Sequence, residues 1–363
     1  CWKALKAMYG TICAAGDFQE ELRESMMSDV GMTLGKGNPT VLHDDEASTK
    51  ACGHYDDLLL EGPEHEVHAA LERLRTSFEL ATKCRRGPDD HDDKQGMLLN
   101  RVLTWTPEGI YWEPDPRQIE LVIAELGLTE SKAVTTCGNR PTADEWAAAR
   151  TLPEDAATAY RRAVARLNYI AQNRPDCCYS SKGCCRGMAS PTDVHIRMLK
   201  RIGSFLVGSK RLRQLFRWQD MPKVPTFYTD ADHAGCTYSR RSTSGGAILH
   251  GENTLCFWSG TQTAVATSSG ESEYYAAVRA GSEALGGRSL CQDAGFRFDA
   301  IGHMDSTAAR TMAMRRGLGK AKHISVQYLW LQGRIHSGDL VLMKVSTEKN
   351  LADLFTKPLS RPR

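Results

Sequence analysis

A chain of 363 residues, 41% of them apolar, is long enough for two or three domains with buried cores. A charged fraction of 25% and a formal net charge of +2 exclude a polycation, so overall charge names no nucleic-acid partner. No run of about eighteen apolar residues reads as a membrane helix and no secretion leader opens the chain, so its twelve scattered cysteines read as reduced thiols of a cytoplasmic or nuclear protein. A start at Cys1 rather than Met reads as a fragment, a processed product or a mis-called gene model.

Residues 1 to about 83 read as mixed helix and strand, with Val67, Leu71, Leu74 and Phe78 at helical spacing over 65–83. The charge-dense stretch 86–97, with Gly and Pro, reads as an exposed loop. Residues 98–127 predict a strand through Thr106, a turn at Pro107–Gly109, a second strand and then a helix. After a weakly patterned connection at 128–150, residues 154–215 read as helical, with breaks at Arg174–Pro175 and Ser190–Pro191. In that stretch Cys177, Cys178, Cys184 and Cys185 could suggest zinc. Their two adjacent pairs lack the usual knuckle spacing, however, and a helix face of small side chains is the plainer reading.

Two prolines at 219–225 mark a boundary. Beyond it, 226–231, 244–250 and 254–259 read as short strands, 270–294 as a long helix, 301–304 as a fourth strand and 306 onward as a helix. A further helix at 324–336, a fifth strand at 339–345 and a short helix at 350–356 complete an α/β plan with a five-stranded mixed sheet.

Four acids stand where these elements start or end: Asp230, Glu273, Asp305 and Asp353. Carboxylates crowded together repel unless a cation neutralises them, and hard oxygen ligands suit Mg²⁺ or Mn²⁺. Two such ions could support phosphodiester hydrolysis if the four converge. Each acid also has a plainer role: Asp305 as a helix cap, Asp353 in a first helical turn, Asp230 and Asp232 as turn acids, Glu271 and Glu273 on a solvated helix face.

The strings YTDADHAGCTYSRRSTSGG (228–246), ATSSGESEYYAAV (266–278), MDSTAA (304–309), GKAKHISVQYLW (319–330) and NLADLFTKPLS (350–360) closely resemble the ribonuclease H of copia-type LTR retrotransposons, in order and in spacing. The resemblance covers about 226–360. It implies a ribonuclease-H-like fold, a metal-binding tetrad on Asp230, Glu273, Asp305 and Asp353, two Mg²⁺ (or Mn²⁺) ions, and the RNA strand of an RNA–DNA hybrid as substrate. Glu273 is preferred over Glu271 because the residues after it match the family's helix, and Asp230 over Asp232 because it sits within the apolar strand run. Arg315, Arg316, Lys320 and Lys322, with His323, form a basic stretch suited to a phosphate backbone or to a solvated face. The loop 345–350 lacks the histidine that many ribonucleases H carry before the last acid.

Upstream, 6–22 and 53–67 resemble the same element's reverse transcriptase, with Asp56 and Asp57 on the paired acids of its Tyr-x-Asp-Asp turn, although His54 replaces the usual aromatic residue. The strings 101–128 and 167–192 resemble its thumb and connection. The expected organisation is a truncated palm at 1–85, a thumb/connection-like region at 98–218 and a ribonuclease H domain at 226–360. The polymerase's first metal-binding Asp would precede Cys1, so polymerisation is not expected of this chain alone. The expected activity is therefore metal-dependent ribonuclease H, with an inactive remnant that only binds nucleic acid as the alternative. The expected partners are the hybrid and other Pol-derived domains, and no membrane.

Overall fold

The structure, a computed structural model, describes residues 13–220, 225–295, 300–319 and 321–358. Its contacts divide the chain into two units, one of residues 1–85 and 285–298, the other of 86–284 and 299–363. Most of the boundary expected at 219–225 lies outside the described residues.

In the first unit the helix Ala14–Ser25 widens into a single π turn, Met26–Val30, which ends at Gly31 in the left-handed region (φ 92°). Strands Thr33–Leu34, Val41–Asp44, Thr49–His54 and Asp57–Glu61 form an antiparallel meander, followed by the helix Glu64–Leu74. Leu22, Met26, Leu42, Ala51, Ala70 and Leu74 close the core between them. The helix stops well short of residue 83. The Thr76 hydroxyl donates to the Arg73 carbonyl and offers the backbone a turn instead, and Phe78 reaches the core from beyond the helix end.

The second unit opens with the charge-dense segment 86–97, a largely exposed loop, as expected, that is held by its own hydrogen bonds. The Lys94 ammonium donates to the carbonyls of Gly87, Pro88 and Asp89 (3.0, 3.0 and 2.6 Å), and Asp92 is buried, accepting from the Asp89 amide. An antiparallel sheet follows, in the order Gln95–Leu98, Arg101–Thr106, Gly109–Pro114 and Gln214–Arg217. The single strand expected through Thr106 is broken at Leu99–Asn100, both with positive φ (49° and 58°), so two strands form a hairpin. Asp115 caps the helix Pro116–Glu125 by accepting from the Arg117 amide (3.0 Å).

The helices Glu154–Ala171, Pro175–Cys185 and Asp193–Gly208 break at the two proline positions expected and bury Tyr160, Leu167, Ile170, Leu199 and Leu206 between them. Arg174, fully buried at the first break, is satisfied by Asp176 and by the Ser209 carbonyl (2.8 Å). Cys177 and Cys184 lie in this core, and among the described residues none of the four clustered cysteines belongs to a metal-sized group.

The five-stranded mixed sheet has the order Asn253–Thr261, Thr243–His250, Pro225–Asp232, Ala300–Met304 and Leu340–Lys344. The first three strands are antiparallel and the last two join in parallel. The helices Ser269–Asp293, Thr307–Met314 and Trp330–His336 supply the α part. The helix expected at 324–336 begins as the 3-10 turn Val326–Leu329, and the short one expected at 350–356 is the 3-10 turn Leu351–Phe355. The helix Pro175–Cys185 packs against the edge strand Asn253–Thr261 and the Leu351–Phe355 turn. No described helix is long and apolar enough to cross a membrane.

Candidate active site

Parallel pairing of Pro225–Asp232 with Ala300–Met304 sets Tyr228 opposite His303, their rings stacked at 4.9 Å. Two residues further on, at the carboxyl ends of these neighbouring strands, stand Asp230 and Asp305. That end of an open α/β sheet is where such folds place ligands. Ser306, not Asp305, caps the following helix, accepting from the Ala309 amide (3.2 Å), so the Asp305 carboxylate is left to face the site and accepts from Thr347 Oγ1 (2.7 Å).

Glu273 enters from the first turns of the helix Ser269–Asp293. One carboxylate oxygen each from Asp230, Glu273 and Asp305 lie within 4.8 Å of one another. Asp230 and Glu273 are buried, and Glu273 Oε2 has no hydrogen-bond partner. Burial, then the charges of Asp230 and Asp305, push Glu273 up to about 9. Burial likewise raises Asp230. A hydroxyl hydrogen bond from Thr356 opposes that rise, and the Asp353 and Asp305 charges reinforce it. Three acids converge with a deficit of positive charge, and one of them keeps a buried carboxylate oxygen without a hydrogen-bond partner. A divalent cation fits that donor set.

Asp353 is outside this group of three but close enough for its charge to act on Asp230. It is buried in the Leu351–Phe355 turn and pairs with Lys357 (2.9 Å). The turn is pinned to the sheet. Asn350 donates to the Thr229 carbonyl (3.1 Å), Ser259 to the Phe355 carbonyl (2.6 Å), and Phe257 stacks on Phe355 at 5.4 Å. Gly245, directly opposite Asp230 in the sheet, makes room for the turn. A Cβ there would stand 2.7 Å from side-chain atoms of Phe355 and Thr356.

The two rival acids have other partners. Asp232, two residues beyond Asp230, pairs with Arg140 at 2.9 Å. Glu271 accepts from the Thr267 hydroxyl (2.6 Å), the Tyr275 hydroxyl (2.5 Å) and His323 Nε2 (2.9 Å). Burial alone would raise Glu271, but these bonds hold it at about 2. Thr347, Asn350, Thr356 and Lys357 buttress the acids and were not singled out from the sequence. Hydroxyl and amide side chains near an acid are too common for such a role to show without the fold.

No family model matches the sequence. The chain is 28% identical to the retrovirus-related Pol polyprotein from transposon RE1 of Arabidopsis thaliana, over 99% of this chain and 24% of that protein. It is 26% identical to the retrovirus-related Pol polyprotein from transposon TNT 1-94 of Nicotiana tabacum, over 85% of this chain and 23% of that protein. Over nearly its whole length the chain is thus similar to retrovirus-related Pol polyproteins of copia-type transposons. It spans about a quarter of the length of these relatives. The foamy viral protease-reverse transcriptase, solved in complex with RNA/DNA hybrid, shares its fold over 98% of this chain and 40% of that one, with a TM-score of 0.51 at 10% identity.

Elsewhere in the chain, Asp56 and Asp57 occupy the hairpin between Thr49–His54 and Asp57–Glu61, where Tyr55 takes a left-handed φ of 54°. Asp57 pairs with Lys83, and among the described residues neither acid joins a metal-sized group. In the basic stretch Arg316 and Lys322 are exposed, Arg315 folds back onto the Leu318 carbonyl, and Lys320 lies outside the described residues.

Proposed function

We propose that this Pol segment is a ribonuclease-H-type endonuclease that hydrolyses the RNA strand of RNA–DNA hybrids, with Asp230, Glu273 and Asp305 holding Mg²⁺ or Mn²⁺ and Asp353 completing the acidic set. The observation that carries the reading is the three-acid group with its unpartnered Glu273 oxygen. The hybrid as substrate draws on the family's strings and on the ligand of the foamy viral relative. Bound in pairs, such ions supply an activated water and charge neutralisation at the leaving oxygen.

The chain's own residues set the stage for that chemistry. Thr356 favours the ionised form of Asp230, the form a cation needs. Thr347 orients Asp305, and the pinned 351–355 turn fixes Asp353 beside Asp230. Exposed Arg316 and Lys322 are suited to a phosphate backbone, which would be recognised by shape and charge without base reading.

The test is cleavage of a labelled RNA–DNA hybrid by the full chain with Mg²⁺ or Mn²⁺, beside Asp305→Asn. Loss of one ligand is expected to cost about a hundredfold or more in rate. Folded protein that binds hybrid and leaves the RNA whole would replace this reading with that of a binding remnant. Primer extension in the same preparations reads out any polymerase contribution of Asp56 and Asp57.

A further inference from the structure

Within the second unit a cavity of about 460 Å³ opens between the segment 138–149, the helices Pro175–Cys185 and Asp193–Gly208, and the loop 235–238. Its walls carry Arg140, Lys182 and Arg186, and no carboxylate lines it. Arg140 is matched from behind by Asp232 (2.9 Å). The other two cations have no acid partner among the described residues. Lys182 donates to the Thr243 hydroxyl (2.7 Å) and lies 4.5 Å from the Tyr179 ring centroid. Arg186 reaches Cys236 Sγ (3.1 Å) and the Ser239 hydroxyl (3.2 Å). Desolvation pulls Lys182 down to about 8, with the Arg186 charge adding to the fall and the Asp232 charge, shared with Arg140, only partly opposing it. An anion entering here would relieve that cost.

The rest of the wall narrows the class of anion. Trp146 and Tyr238 lie 6.0 Å apart with their rings tilted by 45°, and Tyr238 is 75% exposed at the rim. A large aromatic ring left open beside two cations that have no carboxylate of their own suits a ligand that is anionic at one end and flat at the other. Cation-lined grooves with aromatic platforms hold nucleotides in that way, the charge on phosphate and the ring against a base. The volume falls in the range of small-ligand sites.

We propose that this cavity binds a nucleotide unit, its phosphate on Lys182 and Arg186 and its base against Trp146 and Tyr238. The unit belongs either to a free nucleotide or to a strand, and the chemistry recognised is the same. The site is separate from the three-acid group and needs no metal, so its failure and failure of the cleavage reading are distinct.

Calorimetric titration of the full chain in EDTA, with adenosine 5′-monophosphate, inorganic phosphate and a single-stranded DNA pentanucleotide, tests it. The monophosphate is expected to bind at least tenfold more tightly than inorganic phosphate. Lys182→Gln with Arg186→Gln should weaken it at least tenfold, whereas Asp305→Asn should leave it unchanged. Should the double variant fold poorly, Tyr238→Ala, at an exposed position, is expected to cost about tenfold through lost stacking. Competition by the pentanucleotide would assign the site to a strand, and its absence to a free nucleotide. A monophosphate that fails to bind, binds no better than phosphate, or binds the folded variants as tightly as the parent overturns the proposal.

Discussion

Thr356 donates its hydroxyl hydrogen to Asp230 across 126 residues of sequence, in a buried setting. The bond lowers the carboxyl's proton affinity where burial and two neighbouring acids raise it. Thr356→Val is therefore expected to leave Asp230 more often protonated at neutral pH. The Mg²⁺ concentration for half-maximal cleavage should rise about tenfold, the worth of one hydrogen bond to a charged group. Thr356→Ser should restore it. A Mg²⁺ titration of cleavage decides the matter, and an unchanged midpoint in Thr356→Val would show that the bond does not tune the site.

Glu273 makes stability depend on pH in a definite direction. Its ordinary value is 4.5 and the cluster holds it at about 9. Between those values the unfolded chain has released a proton that the folded chain keeps, so stability falls as pH rises. The metal-free protein should thus melt at a lower temperature at pH 8.5 than at pH 5. Excess Mg²⁺ should narrow the gap, and Glu273→Gln should reduce it. Glu271 acts oppositely: held at about 2, it contributes stability above 4.5 that is lost as pH falls towards 2. Melting curves with EDTA and with Mg²⁺ at both pH values check this, and a pH gap that neither Mg²⁺ nor the Gln variant alters would refute it.

Gly245 is where the sheet and the last acid-bearing turn meet. An added methyl would press on Phe355 and Thr356 at 2.7 Å, with the Phe355 backbone carbonyl carbon at 3.0 Å. Gly245→Ala is expected to cost about 1–3 kcal/mol, the range for overpacking a filled site. It should also slow cleavage by displacing the turn that holds Asp353. Denaturant unfolding beside a cleavage assay measures both, and a stable variant with full activity would show that the turn has slack.

Much of the nuclease-like fold was legible because its strands are short apolar runs bounded by turn residues, as at 226–231 and 254–259. The helix breaks at Arg174–Pro175 and Ser190–Pro191 were legible because proline disfavours helix in the residue before it. Long-range bonds were not. Nothing local shows that Lys94 caps three carbonyls, or that Leu99 and Asn100 accept left-handed backbone at a hairpin. Glu271 and Glu273 illustrate the limit at the site. Two residues apart on a helix they point about 200° apart, so only one can face the other acids, and both are buried. Choosing between them from sequence took a family resemblance. The geometry separates them through Thr267, Tyr275 and His323 on one side and Asp230 and Asp305 on the other.

The helix Pro175–Cys185 lies against the edge strand and the last acid-bearing turn, Lys182 donates to Thr243, and Arg140 pairs with Asp232. The acids therefore rest on a scaffold written in two stretches of gene, one on each side of residue 220. Dividing the chain at that point would strip the sheet of its supporting helix, and a substitution on one side of the seam would call for an answering substitution on the other.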